Sequence, residues 1–187
     1  VHGHNAIVTE MIFKAANEPE ILAKADAVGA KGINLAGLCC TGNELLMRQG
    51  VPMAGNHLMT ELAIVTGAVE AIVVDYQCIM PSLVQAAACY HTKFITTANK
   101  AKFTGAIHFD FKHETAMQQA REIVGLAIDG YSSRNRDRVE IPVEPVEIMT
   151  GFSNEAILGA LGGSLDPFLD AIKAGKIRGC VGIVGCN

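Results

Sequence analysis

The run Glu70–Asn99, EAIVVDYQCIMPSLVQAAACYHTKFITTAN, decides the fold. It opens on EAIVVDYQ (Glu70–Gln77), whose apolar residues follow one another without alternation and are rich in β-branched types. Such a run fits a strand covered on both faces. PSLVQAAACYH (Pro81–His91) comes next, with proline where a helix can start. KFITTAN (Lys93–Asn99) is apolar and β-branched again. Strand, helix and strand in succession make a βαβ unit, whose two strands run parallel.

The pattern continues on both sides of this unit. Helical spacing appears over Thr9–Asn17, with Thr9 as N-cap, and over Glu18–Ala30, with Pro19 in the first turn. Gly32–Leu38 reads as a buried strand, Thr41–Gly50 as a short helix, and Leu58–Ala68 as a helix capped by Thr60. His113–Arg134 is the longest helix, with Met117, Ala120, Ile123, Val124, Ala127 and Ile128 on its apolar stripe. Strands are expected over Val146–Phe152 and Gly179–Gly185, and helices over Ser153–Gly163 and Asp166–Ile177. The fold class is therefore α/β: a doubly wound, Rossmann-like parallel sheet with helices on both faces, formed as a single domain over residues 1–187.

Composition narrows the function classes. Half of the 187 residues are hydrophobic and 18% are charged, below the usual quarter, so part of the surface is expected to lie against other domains or subunits. A formal net charge of −4 and the lack of any basic stripe argue against a nucleic-acid surface. The charged run SSRNRDRVE (Ser132–Glu140) reads as a solvated loop. No apolar run reaches the ~18 residues a membrane helix needs, and the opening VHGHNAIVTE has no signal-peptide pattern. The chain starts without methionine and stops just after an apolar run, so it is expected to be a piece of something longer, located in the cytoplasm. Six cysteines without a CxxC pair exclude zinc-ribbon and thioredoxin motifs, leaving buried thiols or metal ligands.

In open parallel sheets ligands bind beyond the carboxyl ends of the strands. Metal-capable residues fall at four such strand ends. His4 follows a short first strand, Cys39 and Cys40 follow Gly32–Leu38, Cys78 follows Glu70–Gln77, and Cys186 follows the last strand. Cys89 and Cys180 do not share this placement. Thiolates with an imidazole favour zinc or an iron–sulfur centre, against the alternative of packed core thiols. His2 lies on the same side as His4 at i, i+2, which makes it a neighbour of the site. Two further readings are weaker. GLCCTGNE could cradle a phosphate but lacks the glycine fingerprints of nucleotide sites. A nucleophilic pair of Cys40 with His57 has no local signature. His57, His91, His108 and His113 read as solvated or hydrogen-bonded residues.

Taken together, HGHN, GLCCTGNE, VDYQCIMPS, ITTAN and the terminal GCN resemble the catalytic subunit of the nickel–iron–sulfur carbon monoxide dehydrogenases of anaerobes, within the prismane/hybrid-cluster superfamily. The likeness runs end to end. It implies reversible oxidation of CO with water to CO2, two protons and two electrons at a Ni–Fe–S centre, the C-cluster. It implies that His4 and Cys40 hold an iron outside the cubane and that Cys78 and Cys186 each hold a cubane iron. His2 and Cys39 would then stand just outside the ligand sphere. Cys40 is preferred to Cys39 because its spacing to Cys78 agrees with the family's. A ferredoxin-like electron acceptor, acetyl-CoA synthase and a second copy of the chain are the expected partners. Two further cysteines, a lysine and an N-terminal helical region of the family are absent. The chain is thus expected to be the central domain of such a subunit, inactive and unable to hold the full cluster by itself. The alternative is a non-catalytic metal- or nucleotide-binding α/β scaffold.

Overall fold

A computed structural model describes residues 1–144, 146–147 and 151–183. They divide into two compact units, Val1–Val143 and Glu144–Asn187, each described by itself.

In the first unit, β3 (Ala71–Val74) pairs in parallel with β4 (Lys93–Thr96), which pairs in parallel with β5 (Ile107–His108). A second parallel pair joins β1 (Gly37–Leu38) to β2 (Met53–Gly55). His2 stitches the two groups together, bridging in parallel to Leu38 on one side and Val74 on the other. Its backbone N–H donates to the Val73 carbonyl at 2.8 Å, and the Leu38 N–H donates to the Val1 carbonyl at 2.8 Å. If the His2 bridge is counted as the first strand, the spatial order is 3-2-1-4-5-6 in chain order. That is the order of a doubly wound sheet, whose direction of growth reverses between its first and fourth strands. The reversal falls between His2 and β3.

Residues alternate in facing along the strands, and both faces are covered. Val73 and Ile95 pack against α1 (Ala6–Ala16), α2 (Pro19–Ala27) and α6 (Ala116–Tyr131) through Val8, Ile12, Ile21, Ile123 and Val124. Ile72, Val74 and Phe94 face the other way, onto Ile64 of α4 (Thr60–Val65) and Leu83 and Ala87 of α5 (Leu83–Ala88). Each buried isoleucine or valine contributes ~1.5–3 kcal/mol of transfer free energy, which explains the unbroken apolar runs in the central strands. The parallel sheet with helices on both sides is the architecture the apolar runs imply.

Several boundaries differ from the sequence reading. Helix α1 begins at Ala6, because the Asn5 side chain accepts the N–H groups of Ile7 and Val8; Thr9 is buried inside the helix and does not cap it. The strand expected over Gly32–Leu38 joins the ladder only at Gly37–Leu38. The helix expected at Thr41 starts two residues earlier, as α3 (Cys39–Thr41), and widens into a π-helical turn over Gly42–Leu46 before a 3₁₀ turn ends at Gly50. A 3₁₀ turn over His57–Met59, capped by the Asn56 side chain, precedes α4, so Thr60 is inside the helical run. Strands β2 and β5 were not anticipated.

In the second unit, α7 (Asn154–Ala160) is capped by the Ser153 hydroxyl, which accepts from the Ala156 N–H, and α8 (Asp166–Lys173) carries Pro167 in its first turn. Residues 179–183 form no strand. The strand expected over Val146–Phe152 and the end of the one expected over Gly179–Gly185 lie partly outside the described residues, as does Cys186.

Candidate metal centre

Three loops leave the carboxyl ends of the His2 bridge, β1 and β3 next to the reversal point. The first, His2–Asn5, is tied to the second because the Thr41 N–H donates to the Gly3 carbonyl at 2.9 Å. It is tied to the third through Asp75, the residue after β3. The buried Asp75 carboxylate accepts the His4 N–H at 2.5 Å and the N–H groups of Asn5 and Tyr76. Gly3 has φ 137°, and a Cβ there would overlap the Asp75 carboxylate. Close packing also explains the glycines of GLCCTG. A Cβ on Gly42 would come within 2.8 Å of the Gly37 carbonyl carbon, so α3 leaves β1 with backbone against backbone.

At this point Cys39, His57 and Cys78 converge. One ligand atom from each lies within 4.8 Å of the other two. Cys39 is buried, while His57 and Cys78 are half-buried. Among the described residues, Cys39 at φ 60° and Cys78 at φ 56° are the non-glycine residues with positive φ. That backbone region costs an L-residue of order 1–2 kcal/mol and concentrates at functional sites. Both thiols are therefore aimed by backbone that a simple packing role would not need. The π-helical turn after Cys40 is a second irregularity of the functional kind.

The imidazoles complete the donor set. His2 is buried, and its Nε2 lies 3.1 Å from Cys39 Sγ. Burial lowers its pKa to about 4, so the ring is neutral near pH 7. A neutral ring donates from one nitrogen and accepts at the other. His4 stacks at a tilt on Tyr76, with ring centroids 5.9 Å apart. The Nδ1 atoms of His2, His4 and His57 are all buried and have no hydrogen-bond partner among the described residues. Buried ring nitrogens are ordinarily paired, so these orphans, two of them on rings that stand at the thiols, mark a site shaped for something else. Soft sulfur and borderline nitrogen donors suit zinc, iron or nickel. The residues present fit a metal centre.

Of the residues singled out from sequence, Cys78 and Cys39 meet, with His2 against Cys39. His4 stands in the adjoining loop, and the half-buried Cys40 is beside Cys39 but outside the group of three. Cys89 is exposed and outside the group of three, and Cys180, in the second unit, is exposed. His57 was missed. It follows β2, whose three residues between Pro52 and Asn56 carry no periodic signal, so its place past a strand end was hidden. Asp75 was missed too, though it stands in the strand-end motif VDYQC.

The Prismane/CO dehydrogenase family model matches residues 1–187. The chain belongs to the Prismane/CO dehydrogenase family. Carbon monoxide dehydrogenase 1 of Methanosarcina mazei is 56% identical over all 187 residues, which span 30% of that protein. The carbon monoxide dehydrogenase/acetyl-CoA synthase subunit beta of Moorella thermoacetica is 45% identical, with the whole chain spanning 28% of its length. The fold matches a nickel-free carbon monoxide dehydrogenase of Thermococcus sp. AM4 with a TM-score of 0.88 at 56% identity, covering all of this chain and 29% of that one. Within the Prismane/CO dehydrogenase family, the chain thus spans about a third of the length of the relatives it matches. It carries the doubly wound sheet and the sulfur-rich edge as one contiguous segment.

Proposed function

We propose that the chain is the sheet domain of a nickel-dependent carbon monoxide dehydrogenase, which oxidises CO with water to CO2, two protons and two electrons, reversibly. The observation that carries this reading is the meeting of Cys39, His57 and Cys78 where the sheet reverses, in a chain of this family. When bound, a nickel–iron–sulfur centre supplies the site for CO and takes up the two electrons. The chain's own work is to hold it. Cys78 is one thiolate ligand. The geometry favours Cys39 as its partner, because its sulfur stands with that of Cys78. The resemblance favours Cys40, and the two neighbours divide the roles of ligand and adjoining thiol. His4 and Cys186 are the remaining ligands the resemblance implies, and His57 adds a nitrogen donor within reach. His2, neutral near pH 7, forms a hydrogen bond to the Cys39 sulfur and so fixes its direction and basicity. A ferredoxin-like acceptor in the cytoplasm takes the electrons, and acetyl-CoA synthase is the partner suggested by the Moorella relative.

The test is CO-dependent reduction of a viologen dye by the full-length protein that carries this segment, expressed from its own gene and purified without oxygen. Wild-type protein is expected to reduce the dye, and Cys78→Ser to lower the rate by at least ~10-fold, the lower bound for disturbing even an outer partner of a metal. Wild-type protein that holds nickel and iron yet shows no CO-dependent reduction contradicts the reading.

A further inference from the structure

We infer that Asp75 is the positioning residue of the metal centre: its carboxylate sets where the His2–Asn5 loop stands relative to the Cys78 loop. The inference rests on the metal-centre reading above. Asp75 is 3% exposed, at the carboxyl end of β3 and three residues before Cys78. A carboxylate taken out of water must have its lone pairs matched by donors. Here the donors are backbone N–H groups from two separate loops: His4 and Asn5 on one side, Tyr76 on the other. Charge-assisted bonds of this kind are short and directional. They leave the His4 backbone little freedom relative to the turn that aims Cys78, which is held at φ 56°.

The glycine opposite strengthens the case. Gly3 sits at φ 137° with its open side against the carboxylate, where any Cβ would overlap it. The HGH spacing therefore lets the backbone approach Asp75 while His2, on one side of the glycine, stands against Cys39 Sγ. A simple helix cap would not require this, since Asn5 already caps α1 through its own side chain. Asp75 instead joins the imidazole loop to the thiolate loop.

The test uses the protein expressed from its own gene, purified without oxygen, with iron and nickel content and the electron paramagnetic resonance spectrum as readouts. Asp75→Asn keeps the volume but turns one acceptor into an NH2 donor facing an N–H. Gly3→Ala displaces the carboxylate from the other side. Ile123→Ala, a core truncation in α6, is the control for lost stability alone. Both site variants are expected to shift the resonance positions of the bound centre and to weaken nickel retention ~10–100-fold, the range for outer-shell changes. The control should keep the wild-type spectrum. If Asp75→Asn does not accumulate folded, Gly3→Ala carries the test. Site variants with wild-type spectrum and metal content overturn the inference while leaving the metal centre standing. Wild-type protein without iron or nickel overturns the metal-centre reading and the inference with it.

Discussion

At the scale of single residues, the site is defined by conformations that cost energy elsewhere in proteins. Cys39 and Cys78 occupy left-handed backbone, Gly3 and Gly42 leave room for other backbone or a carboxylate, and three imidazoles keep a nitrogen unpaired among the described residues. These features were only partly visible in the chain itself. The adjacency of Cys39 and Cys40 after an apolar run was plain, and Cys78 stood at a strand end. The choice within the pair was not, because a one-residue difference in sequence says nothing about which thiol the backbone turns inward. The structure brings Cys39 to Cys78 and His57, where the family spacing favoured Cys40. A prediction separates strain from close packing. Gly29 has φ 81° with open space around a would-be Cβ, whereas Gly3 has both a positive φ and the Asp75 carboxylate in the way. Gly29→Ala should therefore cost ~1–2 kcal/mol and Gly3→Ala clearly more, read as shifts in denaturation midpoint. Equal shifts would mean that the contact with Asp75 does not matter.

At the scale of elements, helix and strand types were readable and their ends were not. The stripe on α6 and the unbroken strands β3 and β4 emerged from periodicity, since packing on both faces is what those patterns record. Boundaries depended on caps. Thr9 resembles an N-cap by type, yet the Asn5 side chain reaches the free N–H groups first, and the Thr9 hydroxyl ends up buried with no partner among the described residues. Asn5→Ala should lower stability by about 1 kcal/mol, the usual cost of a lost cap. Thr9→Val should be neutral or stabilising, because it removes an unsatisfied buried hydroxyl. The reverse order in a chemical-denaturation series would restore Thr9 as the cap. Another link joins elements far apart in sequence: Arg121 on α6 grips Glu18, the N-cap residue of α2, through two bonds of 2.7 and 2.8 Å. The guanidinium holds the Glu18 carboxyl below its ordinary pKa. The contribution of this pair is thus present above the ordinary carboxylate pKa and is lost as pH falls through the lowered one. Glu18→Gln should flatten the loss of stability on acidification; an unchanged acid limb in a midpoint-against-pH series would remove the pair from that role.

At the scale of the whole molecule, topology makes the site. A parallel sheet delivers the ends of its strands to one edge, and reversal of strand order opens a crevice there. The residues bordering that crevice are the His2–Asn5 loop, the start of α3 and the turn after β3, which are the segments that hold His2, His4, Cys39, Cys40 and Cys78. The edge placement was readable because it needs only strand direction. The crevice itself was not, because its first strand is a single bridging residue and β2 is three residues long. With family membership over residues 1–187, this arrangement supports the proposed nickel- and iron-containing centre on the Cys78 side of the crevice. The most direct test is the iron and nickel stoichiometry of protein expressed from its own gene and purified without oxygen, compared between wild type and Cys78→Ser. Wild-type protein is expected to retain both metals, and Cys78→Ser to lose nickel and part of its iron while staying folded. Wild-type protein without either metal, or a Cys78→Ser variant with the wild-type stoichiometry, would contradict the proposed centre.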